Sequence, residues 1–336
     1  MTMSSMNDIR SRLSIPVIVA PMFLVSTPAM VIAACREGLL GSFPAHGTRS
    51  VEVFESWLIE IIDALKRAED AGERPAPFAV NLVVHASNAR AEGDLALCEK
   101  YKVPVILSSK SAPGAMVKRV HAYGGVVMHD IASQRHAEKA LEAGVDGLIA
   151  VAGGSGGHCG TINPFSLLNE VRRIFQGPVA LAGGMSTGRD ALAAQAMGAD
   201  FAYFGTRFIA TQESSAAEGQ KQMILASNAT DIFFSASIDG APANWLTHSL
   251  IAAGIDLDGL RTTLPGKIVA SDQTRKRWKD IWTAGHGVGN IDDIPTTQAL
   301  CRRLKAEYAA ARGDVLARLG AASPHTAQAA LTGHAS

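Results

Sequence analysis

Eight times along the first two thirds of the 336-residue chain, a short run rich in apolar and β-branched residues ends in small or polar residues. Longer stretches with helical spacing lie between these runs. They fall at 16–22, 39–43, 78–84, 103–108, 125–130, 147–152, 178–183 and 201–205. Segments such as 51–71 and 135–143 keep their apolar residues on one helical face and stop at Gly72 and Gly144, as helix C-termini commonly do. Continuous apolar strands alternating with amphipathic helices imply a parallel sheet covered by helices. Eight units predict an α/β fold closed into a TIM (β/α)8 barrel. An open doubly wound sheet would need only about five or six strands and a G-x-G-x-x-G turn after the first. Here the first run ends in Ala20-Pro21-Met22, without such a turn.

The rhythm stops after residue 209. A helical stretch to Ala229, an alternating run from Asp231 to Gly240, loops around Pro242 and Pro265, and a charged helix over 299–319 follow. The expected organisation is an N-terminal arm at 1–15, a barrel at 16–225, a C-terminal helical extension over the barrel mouth at 226–320, and a flexible tail at 321–336. A hydrophobic content of 47% suffices for one large core. Lysine plus arginine equals aspartate plus glutamate, 31 each, so no net field draws the chain to nucleic acid or an anionic membrane. Small ligands are the expected partners, with a homodimer as the oligomer to test. Cys35, Cys98, Cys159 and Cys301 lie far apart with no C-x-x-C pair, and no secretory signal or run of about 18 apolar residues occurs. A reducing cytoplasm is the expected location.

In a barrel of this kind, chemistry gathers where strands end. That rule selects Pro21 and Met22, His46, Asn81 with His85, Ser108 to Lys110, His129 and Asp130, Gly183 and Gly184, and Gly205 to Arg207. The sixth run leads into Gly153-Gly154-Ser155-Gly156-Gly157-His158-Cys159-Gly160, where five glycines leave one imidazole uncovered. A neutral imidazole there can take a proton or hold developing negative charge; the alternative is a mobile loop with a solvated histidine. The N–H groups of Gly183-Gly184 and Gly205-Thr206 suit a phosphate, unless both pairs are only tight turns. Cys159 beside His158 is not expected to be a nucleophile, because neighbours in extended backbone point to opposite sides. His46, His85, His129 and His158 have neither an H-x-H pair nor an acidic cluster, and no metal site is expected. Asn81 in an apolar strand needs hydrogen-bond partners or a ligand edge. Asp130 poses the same question, with a helix N-cap as its structural alternative.

Taken together, Ala20-Pro21-Met22, Val80-Asn81-Leu82, Gly156-Gly157-His158-Cys159-Gly160, Ala182-Gly183-Gly184 and Gly205-Thr206-Arg207-Phe208 resemble the motifs of the nitronate monooxygenase family, formerly called 2-nitropropane dioxygenases. Trp282 to Gly289 resembles a late glycine-rich motif of many members. The resemblance implies an FMN-dependent barrel that oxidises alkyl nitronates, or nitroalkanes, with dioxygen to carbonyl compounds and nitrite. It implies that Pro21, Met22 and Asn81 line the flavin and that Val151 and Gly156 contact it. Gly183, Gly184, Tyr203, Phe204, Gly205 and Thr206 would surround its phosphate, and His158 takes the catalytic position. Asp130 stands where some relatives place a lysine, and an anion there would disfavour a reduced anionic flavin. Two other readings stay open: an NAD(P)H-dependent FMN reductase of enoyl thioesters or quinones, and a non-catalytic flavin-binding module.

Overall fold

The computed structural model describes residues 5–85, 88–262 and 281–320. The expected tail at 321–336 and the loop around Pro265 lie outside the described residues. Eight parallel strands form one sheet: β1 (Val17–Val19), β2 (Gly41–Pro44), β3 (Phe78–Val84), β4 (Val105–Lys110), β5 (Val126–Ile131), β6 (Gly147–Val151), β8 (Val179–Ala182) and β9 (Phe201–Phe204). Their order runs from β1 through β9, β8, β6, β5, β4 and β3 to β2. The two edges meet at a parallel bridge between Ile18 and Leu40, where Leu40 N–H donates to Val17 O at 3.1 Å and Val19 N–H donates to Leu40 O at 2.9 Å. Joining first to last strand makes the predicted TIM barrel.

Alternation along the strands divides the core in two. Val17, Val19, Val80, Ile106, Val127 and Leu148 point outward, into a layer shared with the surrounding helices. Ile18, Ala79, Val105, Leu107, Val126, Met128, Ile149, Ala180 and Phe201 point inward and fill the barrel. The same cluster takes Met6 and Ile9 from the first helix, Met6–Ser11, so the N-terminal arm is a plug in the lower end of the barrel. Ser5 caps that helix by accepting from Asp8 N–H at 3.2 Å.

Helix 51–70 illustrates how the outer layer forms. Ser50 accepts from Val53 N–H, Phe54, Leu58, Ile61, Leu65 and Ala68 recur at helical spacing on the buried face, and Gly72 follows with φ +86°. Gly144 and Gly198 stop the helices before β6 and β9 in the same way, with φ +84° and +101°. The last helix, Thr297–Gly320, buries Leu300, Cys301 and Leu304 in the outer layer. It lies on the barrel's flank beside the helices 28–36 and 188–196, held by Lys305 to Glu37 O at 2.9 Å and by Glu307 accepting from Gly188 N–H at 2.7 Å.

The rest of the extension does reach the mouth, through a feature the sequence pattern hides. The glycine loop contains a two-residue strand, β7 (Gly157–His158), which pairs antiparallel with β11 (Ala243–Leu246); β11 in turn pairs with β10 (Ile232–Ser235). Two residues are too few for any period to show, so only the partner strand makes β7 recognisable.

Candidate active site

Above the apolar filling, one step further along the strand, four of six inward rows turn polar and two stay small or apolar. Ala79 is followed by Asn81, Leu107 by Ser109, Met128 by Asp130, Ile149 by Val151, Ala180 by Ala182 and Phe201 by Tyr203. These six residues line the floor of a cavity of about 1730 Å³. Ligand pockets usually span about 300–1,000 Å³, so this one has room for a cofactor and a substrate together.

Asn81 meets its expected need for partners by donating from Nδ2 to Leu107 O at 2.9 Å and to Ser109 Oγ at 3.3 Å. Asp130 does not cap the next helix, because Ser133 does. Its Oδ1 is buried with no hydrogen-bond partner among the described residues, and burial pushes its carboxyl up to about 7 against the opposing pull of Lys110. The fixed anion expected from the sequence is therefore a carboxyl that is substantially protonated near neutral pH, and in that form it is a donor. Burial, then the Asp130 carboxyl, pushes the Tyr203 phenol well up.

The wall beside this floor is built from three glycine segments packed backbone to backbone. His286 N–H donates to Gly154 O at 2.9 Å, Gly184 N–H to the same oxygen at 3.2 Å, and Gly285 N–H to Thr206 Oγ1 at 2.9 Å. Gly154, Gly183 and Gly184 take φ of +92°, +142° and +69°. A Cβ on Gly156 would stand 2.8 Å from Gly285 N, and one on Gly285 would stand 2.5 Å from Gly154 O. The expected glycine pairs at 183–184 and 205–206 thus share their corner with a third segment, 285–287. Asn244 of β11 donates from Nδ2 to Ser155 O at 2.7 Å, and Cys159 N–H donates to Pro242 O at 3.1 Å, so the extension clamps the loop from the other side.

His158 stands at the end of this clamp. Its Nε2 lies 2.8 Å from Asp239 Oδ2 and its Nδ1 lies 3.4 Å from Lys110 Nζ. The imidazole is exposed, whereas the Asp239 side chain is only 8% exposed, so the carboxylate needs a partner. Burial alone would raise the Asp239 carboxyl. Hydrogen bonds from His158 and Ala241 N–H, with the charges of His158 and Lys110, outweigh burial and hold it below the usual range. Asp239 and Lys110 are the residues that sequence reasoning missed as partners of His158; one is 81 positions away and the other 48.

Pro21, Met22, Asn81, Asp130, Val151, Gly156, His158, Gly183, Gly184, Tyr203, Gly205 and Thr206 all line the cavity. Phe204 is a correction. Adjacent residues of a strand face opposite ways, and its fully buried ring lies in the outer layer, with its carbonyl accepting from Ala20 N–H at 2.8 Å. The same alternation removes His129 from the mouth: it is buried, its Nδ1 lies 2.7 Å from Ser108 Oγ, and burial followed by the charge of His136 brings it down to about 4. His85 is not among the lining residues either. His46 is, stacked at 5.2 Å on Phe23. Cys159 is buried, and burial pushes its thiol up to about 11, which leaves no thiolate for nucleophilic attack.

The donor set fits a flat ring with an anionic tail. Small and apolar residues at Ala20, Val151 and Ala182 leave room for a ring, the glycine corner admits close backbone approach, and the buried Asp130 Oδ1 has no partner among the described residues. Among the described residues no helix is long and apolar enough to cross a membrane.

A family model described as nitronate monooxygenase matches residues 4–306. A (3aS,4S,5R,7aS)-5-hydroxy-7a-methyl-1-oxo-octahydro-1H-indene-4-carboxyl-CoA dehydrogenase of Rhodococcus jostii is 32% identical over 70% of this chain, and the alignment spans 64% of that relative's own length. A nitronate monooxygenase of Paraburkholderia phytofirmans is 30% identical over 72% of this chain and 76% of the relative. The solved structure of FabK from Thermotoga maritima superposes with a TM-score of 0.73 at 25% identity, covering 93% of this chain and 98% of that one.

Proposed function

The chain belongs to the nitronate monooxygenase family, and from that premise we propose that it is an FMN-dependent enzyme that oxidises alkyl nitronates with dioxygen to carbonyl compounds and nitrite. One observation carries the reading: an imidazole on a glycine corner, paired through Nε2 with a nearly buried carboxylate and beside an ammonium, at the edge of a cavity large enough for cofactor and substrate. In this reading Asn81, Asp130, Val151 and Tyr203 would hold the flavin ring, and Gly183, Gly184, Gly205 and Thr206 would hold its phosphate.

Bound flavin supplies one-electron exchange between substrate and dioxygen. The chain's own residues supply proton handling and position. With Nε2–H donated to Asp239, the lone pair of the neutral imidazole sits on Nδ1. A neutral nitroalkane loses its α-proton to Nδ1, and Asp239 stabilises the imidazolium that forms. A preformed nitronate needs no proton transfer, and His158 would then hold its charge only as the imidazolium, whose Nδ1–H is a donor. The loop bearing His158 keeps this geometry because β11 and Asn244 fix it on one side and Gly285–Gly287 on the other. Four buried, unpaired thiols suit a reducing cytoplasm.

The cavity volume and the likeness to a carboxyl-CoA dehydrogenase favour one alternative, a flavin-dependent oxidation or reduction of bulky thioesters. The deciding experiment starts with a spectrum of the purified protein reconstituted with FMN. Oxygen uptake with nitrite release from propyl-1-nitronate supports the monooxygenase. Rapid anaerobic bleaching of the flavin by NADH, without nitrite release in air, supports the thioester reading. A protein that takes up no FMN removes both.

A further inference from the structure

Lys110 stands out from the residues around it for its backbone. As the last residue of β4 it has φ +81°, a region that L side chains enter at a cost. It is exposed on the cavity wall and could swing into solvent from a relaxed backbone, yet the chain holds it with Nζ 3.4 Å from His158 Nδ1. That distance is long for a hydrogen bond, and an ammonium has three donors, so the imidazole does not satisfy it. Among the described residues no carboxylate lies within ion-pair distance of Lys110, although Asp130 and Asp239 both feel its charge. Among the described residues, Arg49 is the other lysine or arginine of the lining, and it comes from the connection after β2 rather than from the strand end facing His158.

We infer that Lys110 is the anion anchor of this site, holding a planar, two-oxygen anionic group of the substrate against the Nδ1 edge of His158. The inference rests on the functional reading above insofar as that anion is a nitronate. The charge that appears when an α-proton leaves a neutral nitroalkane goes to the two nitro oxygens. Lys110 and the newly formed imidazolium then face it together. A substrate that arrives already ionised meets the ammonium first. Lys110 is thus assigned to ground-state selection of anions over neutral substrates of the same shape, and His158 to the proton.

The test uses the FMN-loaded protein and two inert probes of equal shape, propanoate and propionamide, with binding read from the flavin's visible absorption. Wild type is expected to bind propanoate more tightly than propionamide, and less tightly as salt is raised. Lys110→Met should weaken propanoate by about 10- to 100-fold while leaving propionamide and the bound FMN unchanged. Lys110→Arg should recover most of the loss. Equal weakening of both probes, no weakening, or a wild type that shows no preference for propanoate would overturn the assignment. If Lys110→Met does not fold, the salt dependence of wild type and the Lys110→Arg and Lys110→Gln proteins carry the same decision. Failure of the functional reading shows separately: wild type would release no nitrite from propyl-1-nitronate while the propanoate preference still followed Lys110.

Discussion

The lower and upper halves of the barrel are made by the same strands, one register step apart, and they obey opposite rules. Below, Ala79, Leu107, Met128 and Phe201 meet each other and the plug of Met6 and Ile9, and nothing there needs a partner. Above, Asn81, Ser109, Asp130 and Tyr203 face a cavity, and one of their oxygens, Asp130 Oδ1, has no partner among the described residues. A parallel strand offers every second side chain to the interior, so two residues of travel change a packed core into a binding floor. Stability and chemistry are therefore separable by position along each strand, and substitutions in the two halves should fail in different ways.

The largest effect is expected at the mouth. His158→Asn should keep FMN and the fold but lower turnover of neutral nitroalkanes by about 100- to 10,000-fold, with a smaller loss on nitronates. Steady-state kinetics on nitroethane and ethylnitronate check this, and an equal loss on both would remove the proton-transfer role. In the lower half, Met128→Ala should cost about 2–5 kcal/mol in urea unfolding while the FMN affinity of the folded protein stays the same. A change in FMN affinity comparable to that in stability would show that the two halves are coupled.

Asp130 sharpens the contrast through pH. Its carboxyl is raised in the folded chain from 3.8 to about 7, so the folded state prefers it protonated. The stabilisation is complete below the unfolded value and is lost as pH rises through the folded one. Asp130→Asn should remove that slope, making the FMN-free variant gain about 1–3 kcal/mol on wild type between pH 4 and pH 8. Denaturation curves at the two pH values measure it, and parallel pH profiles would mean that Asp130 is solvated. The smallest expected effect is at Lys110. Lys110→Gly relieves the positive φ and should raise stability by about 1 kcal/mol while weakening anion binding, a trade of function against stability at one residue. A lower urea midpoint would show that the backbone there is unstrained.

Much of this was legible in the sequence because it depends on local periods. The strands at 78–84 and 147–151 and the helix at 51–70 follow from side-chain alternation, helical spacing and glycine stops within a few residues. The glycine corner and His158 were legible as well, since strand ends gather at one mouth whatever the closure. The errors came from the same source as the successes. Strand-end position points His129 to the mouth and the family resemblance points Phe204 there, although strict alternation sends each to the outer layer. The N-terminal plug was hidden because only Met6 and Ile9 of its helix are buried apolar residues.

By itself the sequence determined the barrel, its helical coat and the place of His158 in a glycine loop after the sixth strand, because each is encoded in residues close together in the chain. Only the tertiary structure decided what that histidine touches. β7 exists because β11 lies beside it, Asp239 reaches Nε2 from 81 residues away, and Lys110 reaches Nδ1 from a different strand end. The charge state of Asp130 belongs to the same class, since it is set by how much water the closed floor excludes and by Lys110 nearby. Periodicity is a property of neighbours in sequence, whereas desolvation and hydrogen-bond partnership arise only when distant segments close around the same space.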